Sequence, residues 1–307
     1  MEKLVKVGKR MILITGGNGY LGGRVTEYLT QIGIPTRVGE RSIFNNDASL
    51  EKACDQITTI IHLAGMNAQD CEEDPEAALM VNGLNTLRLI KAAEKCNVTK
   101  IIYFSTVHVY GSPLTGVLSE DSFPCPLNPY SITHRLAEDY VLEADKKQMI
   151  TGVIFRLCNV VGSPVRVDTN CWMLIANDLC WQVVKDQRME IQSEGSIQRD
   201  FIPITTVCSA LMFAMDQKML DGEIVNISSG HTYSLRELTE FIADRAVKIL
   251  GIRPVIHFFK NSKGSNVNEN RFVISNRKLK ECGFKIETDL TNEIDNLLQN
   301  CQQWANQ

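Results

Sequence analysis

The stretch Met11–Gly22, MILITGGNGYLG, decides the fold. Its first five residues form a continuous apolar run, as expected of a strand buried on both faces. Glycines at 16, 17, 19 and 22 follow at once. Arg24–Ile32 then carries apolar residues at helical spacing, and Gly33 offers a C-cap. Bare backbone at Gly16, Gly19 and Gly22 allows a tight turn, close approach of a phosphate and tight helix–strand contact. The helix that follows presents free N–H groups and the positive end of its dipole at its N-terminus. Strand, glycine turn and helix in this order predict a dinucleotide pyrophosphate site; a plain glycine-rich turn is the blander alternative.

Glu40 lies 24 residues after Gly16, at the end of a second strand expected over Thr36–Glu40. A carboxylate there accepts the adenosine-ribose hydroxyls and repels a 2′-phosphate, which favours NAD. Arg41 and Ser42 follow directly and keep NADP as the alternative.

Further strands are expected over Thr59–Leu63, Ile101–Ser105 and Val153–Leu157, and helices over Glu76–Cys96 and Pro129–Ala144. Leu79, Met80, Leu84, Leu87, Ile90 and Ala93 lie on or near one stripe of the long helix. Strand–helix alternation of this kind implies a doubly wound α/β domain with a parallel sheet. After residue 158 the pattern loosens. Cys171–Lys185 reads as a helix, Val255–Phe259 as a short strand, Gly264–Asn270 as a polar loop and Asp289–Trp304 as a closing helix. Ser234–Leu250 is a helix whose ends are written in: Ser234 and Glu237 form a capping box, and Gly251 ends it. The expected division is a dinucleotide half, 1–158, and a smaller α/β substrate lobe, 159–307, some of whose segments pack back on the first.

With 307 residues, 44% of them hydrophobic and 22% charged, the chain is of ordinary globular composition and long enough to bury a large core. A net charge of −4 argues against nucleic acid as a partner. No apolar run approaches the roughly 18 residues of a membrane span. The basic start, MEKLVKVGKR, lacks the apolar core and cleavage site of a secretory signal. Ten singly scattered cysteines form no CxxC pair and no zinc spacing, so no metal is expected. They read as small buried hydrophobes of a cytoplasmic protein.

The ordered motifs TGGNGYLG (15–22), IIHLAG (60–65), FSTVHVYG (104–111), PYSITHRLAE (129–138), RLCNVVG (156–162), RDFIPI (199–204) and NISSG (226–230) resemble the extended short-chain dehydrogenase/reductases. Within these they are most similar to the NAD-dependent nucleotide-sugar epimerase/dehydratase group. The resemblance covers nearly the whole chain and implies a Rossmann sheet and hydride transfer at a sugar carbinol, at C4. It places the cofactor against Gly16, Gly19, Tyr20, Leu21, Gly22, Glu40, Arg41, Leu63, Ala64, Gly65 and Ser105. Tyr130 falls on the catalytic tyrosine, Thr106 on the residue that orients the sugar hydroxyl, and Asn82 on a structural asparagine near the site. Asn159 and Arg199 fall where the family holds the sugar-nucleotide diphosphate, and a guanidinium suits that group. A homodimer built on the helices 76–96 and 129–144 is also implied.

The chemistry explains these residue types. Hydride leaves a carbinol carbon only as the O–H proton goes to a base. An ordinary phenol, with pKa about 10, needs roughly 4 kcal/mol of help to serve as that base at neutral pH. The family supplies it with a lysine four residues after the tyrosine, which also holds the nicotinamide ribose. Here that position is His134. An imidazole shares the helical face with Tyr130 and hydrogen-bonds a ribose, but is mostly neutral near pH 7. A retuned enzyme is therefore expected, with a non-catalytic NAD(P)-binding protein and a reductase of a non-nucleotide carbonyl as rival readings.

Three other departures concern the substrate and cofactor pockets. Only 12 residues separate Thr36 from Ser49, trimming the adenine pocket and leaving Asp47 as a substitute acid. Thr205 and Thr206 stand where the family often has Asp. The KNSKGSN loop offers Lys260 and Lys263 where an arginine is common. His62 is expected to be a packed or hydrogen-bonded histidine, His108 is a weaker candidate for facing substrate, and Trp172 and Trp181 are read as core or interface.

Overall fold

The structure, a computed structural model, describes residues 11–259 and 271–306. Lys260, Lys263 and the loop expected over Gly264–Asn270 lie outside the described residues. The chain splits into two compact units. The first comprises residues up to Ser105, Asn128–Phe155 and Leu220–Glu223; the second comprises Thr106–Leu127, Arg156–Met219 and Ile224 onward.

In the first unit, strand β1 (Ile12–Thr15) leads through the glycine turn into helix α1 (Tyr20–Gln31). Then come β2 (Thr36–Gly39), α2 (Asp47–Cys54), β3 (Thr59–His62), α3 (Asn85–Lys95), β4 (Lys100–Thr106), α4 (Pro129–Lys146) and β5 (Thr151–Leu157). These five strands belong to a six-stranded sheet, in the order β5-β4-β3-β1-β2. The expected parallel, doubly wound pattern is what forms: Ile12 is in register with Thr36 and Thr59, and Thr59 with Lys100. Ile12, Leu13, Ile14, Ile60 and Ile61 are wholly buried. A strand with helices on both faces has no wet side, which is why these runs do not alternate.

The interval after β2 holds a 3-10 turn (Arg41–Asn45) and α2, whose N-terminus is capped by the Asn46 side chain on Ser49 N at 2.8 Å. The helix expected over Glu76–Cys96 is instead a single α-turn (Pro75–Ala78), a π-helical segment (Leu79–Leu84) and α3. That π segment abuts α4: a Cβ on Gly83 would stand 2.8 Å from Leu136 Cδ2. The wider turn shifts the phase of the apolar stripe. Asn82 faces inward, 1% exposed, while Leu79 and Met80 are each 51% exposed.

In the second unit, strand Gln198–Pro203 lies between Asn159–Val161, its parallel neighbour, and Thr232–Ser234, its antiparallel one. Arg188–Ile191 pairs in parallel with Val255–Phe258, and Gly116–Leu118 with Phe272–Ile274. Helices Ile175–Asp186, Leu235–Leu250 and Thr291–Ala305 close one apolar core through Leu179, Val183, Leu238, Ile242, Leu297 and Leu298. The capping box of Ser234 and Glu237 and the left-handed Gly251 cap, at φ 69°, form as read. Trp172 meets Trp181 at 4.8 Å, tilted by 45°, and Trp304 edge-on at 6.0 Å; Trp172 and Trp181 pack on this core. Helix Ile204–Asp216 had no periodic signal because it is apolar on most sides. The ten cysteines are free thiols; seven are buried, and Cys125 is exposed.

Candidate active site

The glycine turn is shaped by contacts that no side chain could share. Gly16 has φ +72°, and a Cβ there would stand 2.7 Å from Leu63 C and Ala64 N. A Cβ on Gly22 would fall 2.0 Å from Gly16 O. The turn therefore presses against both α1 and the segment after β3. Gly19 caps α1 with no side chain, so the first-turn amides, Tyr20 to Gly22 among them, point out of a bare backbone. Glu40 and Arg41 are exposed at the end of β2. Asp47, expected as a substitute acid, accepts from Arg88 Nε at 3.0 Å at the start of α2.

A continuous polar chain runs beneath this cradle. The Ala64 amide donates to Thr15 Oγ1 at 3.3 Å, and the Thr15 hydroxyl meets His62 Nδ1 at 2.6 Å. His62 Nε2 reaches Thr86 Oγ1 at 2.9 Å, and Thr86 donates to Asn82 O at 2.6 Å. Since the Thr86 proton is so used, Nε2 is the protonated nitrogen and Nδ1 accepts. Burial holds the His62 pKa down to about 3, with His134 contributing, so this imidazole is a neutral structural link, as the sequence suggested. Asn82 then accepts from Met66 N at 2.8 Å and donates to Thr133 Oγ1 at 2.9 Å. In effect one chain ties the 64–66 segment to Thr133, in the second turn of α4.

Helix α4 opens with Pro129 in its first turn and a capping box between Asn128 and Ser131, which sets Tyr130 at its second residue. One turn on, the His134 ring packs edge-to-face on Tyr130, with centroids 4.5 Å apart. His134 Nδ1 lies 2.7 Å from the hydroxyl of Tyr103, a residue of β4. Another turn on, buried Glu138 accepts from Ser105 Oγ at 2.6 Å and pairs with Arg135 at 3.2 Å. Tyr103 carried no weight in the sequence reading. The signal was available: it stands two residues before Ser105, hence on the same face of the strand.

In the second unit Asn159, Arg199 and His108 line one cavity of about 230 Å³, with Gln198, Ser196 and Phe272. Thr106, the last residue of β4, accepts from His108 N at 3.2 Å. Burial, and secondarily the Arg199 charge, lower the His108 pKa, so the wall offers one fixed cation beside a neutral imidazole. Arg199 donates to Gln198 O at 2.9 Å, and Asn159 to Asp200 O at 3.0 Å. The Asp200 carboxylate gathers Ser229 N, Ser229 Oγ and Gly230 N at 2.8–3.1 Å, so the RDF and NISSG motifs form a single brace under this wall. Thr206 donates instead to Glu287 O, and Thr205 N to Glu293, so both threonines serve the packing of this unit.

Three comparisons bear on this geometry. Residues 12–228 match the model of the NAD dependent epimerase/dehydratase family. A putative UDP-glucose 4-epimerase of Methanocaldococcus jannaschii is 26% identical over 304 residues, spanning 92% of this chain and 96% of that protein. A GDP-6-deoxy-D-talose 4-dehydrogenase of Aggregatibacter actinomycetemcomitans is also 26% identical, over 79% of this chain and 82% of that one. Among solved structures, the UDP-glucose 4-epimerase of Thermotoga maritima, with UDP-glucose, superposes with a TM-score of 0.82 at 20% identity, covering 96% of this chain and 100% of that chain. No helix among the described residues is long and apolar enough to cross a membrane.

Proposed function

The chain belongs to the NAD dependent epimerase/dehydratase family, and on that premise we propose that it is a nucleotide-sugar 4-epimerase or 4-oxidoreductase that uses NAD. The observation carrying this reading is the union, within one unit, of a bare-backbone glycine cradle with Tyr130 and His134 on one helix face. The cradle fits a dinucleotide, because positions 16 and 22 exclude side chains where a pyrophosphate must meet backbone. Gly16, Gly19, Tyr20, Leu21 and Gly22 hold the diphosphate, Glu40 the adenosine ribose with Arg41 beside it, and Leu63, Ala64, Gly65 and Ser105 line the rest. Bound there, the nicotinamide supplies reversible hydride acceptance.

The chain's own residues do the acid–base work. Tyr130 takes the proton of the sugar C4 hydroxyl and later returns it to the keto oxygen. Thr106 orients that hydroxyl, and His134 holds the nicotinamide ribose in place of lysine. Asn159 and Arg199 bind the diphosphate of the substrate. Rotation of the keto sugar before reduction gives the epimer; its release makes the same residues a 4-dehydrogenase or reductase. Conversion of UDP-, GDP-, CDP- or dTDP-sugars, followed by nicotinamide absorbance and product NMR, tests the reading. If neither the wild type nor His134→Lys converts any of them while NAD binds tightly, the protein is a non-catalytic NAD binder.

Arg199→Ala is expected to raise KM for the nucleotide sugar about 10- to 100-fold with kcat changed little, the size of a charge-assisted contact made equally in ground and transition states. An unchanged KM would point instead to a carbonyl substrate without a diphosphate.

A cytoplasmic homodimer completes the proposal. Leu79, Met80 and Leu84 on the π segment and Ile132 on α4 are 39–51% exposed, an unusual concentration of aliphatic surface on neighbouring turns. Ile132→Glu is expected to give monomers by sedimentation velocity; a wild type that sediments as a monomer at micromolar concentration would remove the dimer.

A further inference from the structure

The structure assigns Tyr103 as a positioning residue: its hydroxyl donates to His134 Nδ1, fixes the imidazole as the Nε2–H tautomer, and so presents an N–H donor to the nicotinamide ribose. This rests on the proposed role of His134 and explains how a neutral imidazole stands in for lysine.

Tyr103 is 2% exposed in the middle of β4, its ring lying between His62 (5.4 Å between centroids) and His134 (5.9 Å). A phenol has one proton to give. Among the described residues the hydrogen-bond partner of this hydroxyl is His134 Nδ1, at 2.7 Å. If Nδ1 carried the ring proton, the phenolic proton would be buried without an acceptor, at a cost of about 1–3 kcal/mol. Burial and the nearby Glu138 push the Tyr103 pKa well up, so the phenol keeps its proton and remains a donor. The ring proton of neutral His134 therefore belongs on Nε2.

The orientation of the ring is set at the same time. Tyr130 packs on it edge-to-face at 4.5 Å, and a Cβ on Gly65 would stand 3.9 Å from its Cε1. Cε1 lies between the two ring nitrogens, so with Nδ1 turned to β4 the Cε1 edge of the ring lies toward Gly65, in the segment proposed to line the cofactor. A lysine in this place needs no tautomer, because its ammonium donates in three directions. A neutral imidazole does need one, since its lone pair turned toward a ribose hydroxyl would offer an acceptor where the ammonium offers a donor.

Selective ¹⁵N labelling of the five histidines, with His134 assigned by its disappearance in His134→Gln, reads the tautomer directly. Expected for the wild type is a pyridine-like Nδ1 and a pyrrole-like Nε2; the reverse pattern overturns the proposal whether or not any variant folds. Tyr103→Phe, which removes one oxygen and keeps the ring, is expected to lose this pattern and to weaken NAD binding about 3- to 10-fold, the size of one neutral hydrogen bond. In a His134→Lys background the same change is expected to leave NAD affinity where it was. Equal weakening in both backgrounds would make Tyr103 merely structural. Should His134→Ala weaken NAD binding while Tyr103→Phe does not, this inference alone fails. Should His134→Ala leave NAD affinity unchanged, the role of His134 in the proposed function fails with it.

Discussion

Tyr130→Phe is expected to lower turnover about 10³-fold while NAD affinity stays within a factor of about 3 of wild type. The substitution keeps the ring, and with it the edge-to-face contact to His134 at 4.5 Å. The capping box that places residue 130 lies in Asn128 and Ser131 and is untouched. What goes is the oxygen that receives the carbinol proton, so hydride departure would have to create an oxonium on the sugar. Loss of a positioned acid–base group costs roughly 10²–10⁴ in rate. The loss should fall on kcat and leave KM nearly unchanged, since the proton moves only in the transition state. Steady-state rates and titration of NAD on the same preparation check it. A variant with a tenth or more of wild-type kcat would show that another group is the base.

Gly22→Ala should have the largest effect on cofactor binding, a loss of NAD affinity of more than about 100-fold, with destabilisation of about 3 kcal/mol, the upper end of the usual cost of overpacking. The added methyl would lie 2.0 Å from Gly16 O and 2.8 Å from Gly17 Cα. Both are backbone atoms, so no side chain can turn aside to make room. Relief requires α1 to move away from the turn, which pulls the first-turn amides off the pyrophosphate. Gly33→Ala provides the contrast. That residue also has positive φ, +74°, but an added Cβ meets nothing within 4 Å. Its cost is conformational alone, about 1 kcal/mol, and NAD affinity should not change. Calorimetric titration with NAD and thermal denaturation of the two variants separate steric from conformational effects. Comparable NAD binding by the two variants would show that the turn is not the pyrophosphate site.

The parts legible in advance were those coded by neighbours in sequence. MILIT and TIIHL announce strands covered on both faces, Ser234 with Glu237 announces a helix start, and Gly251 its end. Each depends on residues within one turn or one strand of each other, where sequence distance and spatial distance agree. The helix expected over Glu76–Cys96 shows the limit. Its apolar spacing fits an α-helix, yet the chain widens into a π turn where Gly83 meets Leu136, more than fifty residues on, and Asn82 faces inward to hold Met66 and Thr133. Helix Ile204–Asp216 is hidden for the opposite reason: buried on most sides, it leaves only Thr205, Ser209 and Asp216 exposed, too narrow an edge to mark a period.

The amino-acid order alone carries the doubly wound sheet and the glycine turn, since both are statements about spacing. The pair Tyr130 and His134, with histidine in place of lysine, came from the resemblance of the ordered motifs. Whether a histidine could take that place depended on atoms far apart in the chain. Tyr103 is 31 residues from His134 yet meets its Nδ1 at 2.7 Å, and Thr15, His62, Thr86 and Asn82 join four strand and helix segments into one hydrogen-bonded line. Parallel strands set side by side residues separated by whole crossovers, and buried polar groups must find partners there. Only the fold could therefore decide which nitrogen of His134 faces β4 and the Tyr103 hydroxyl.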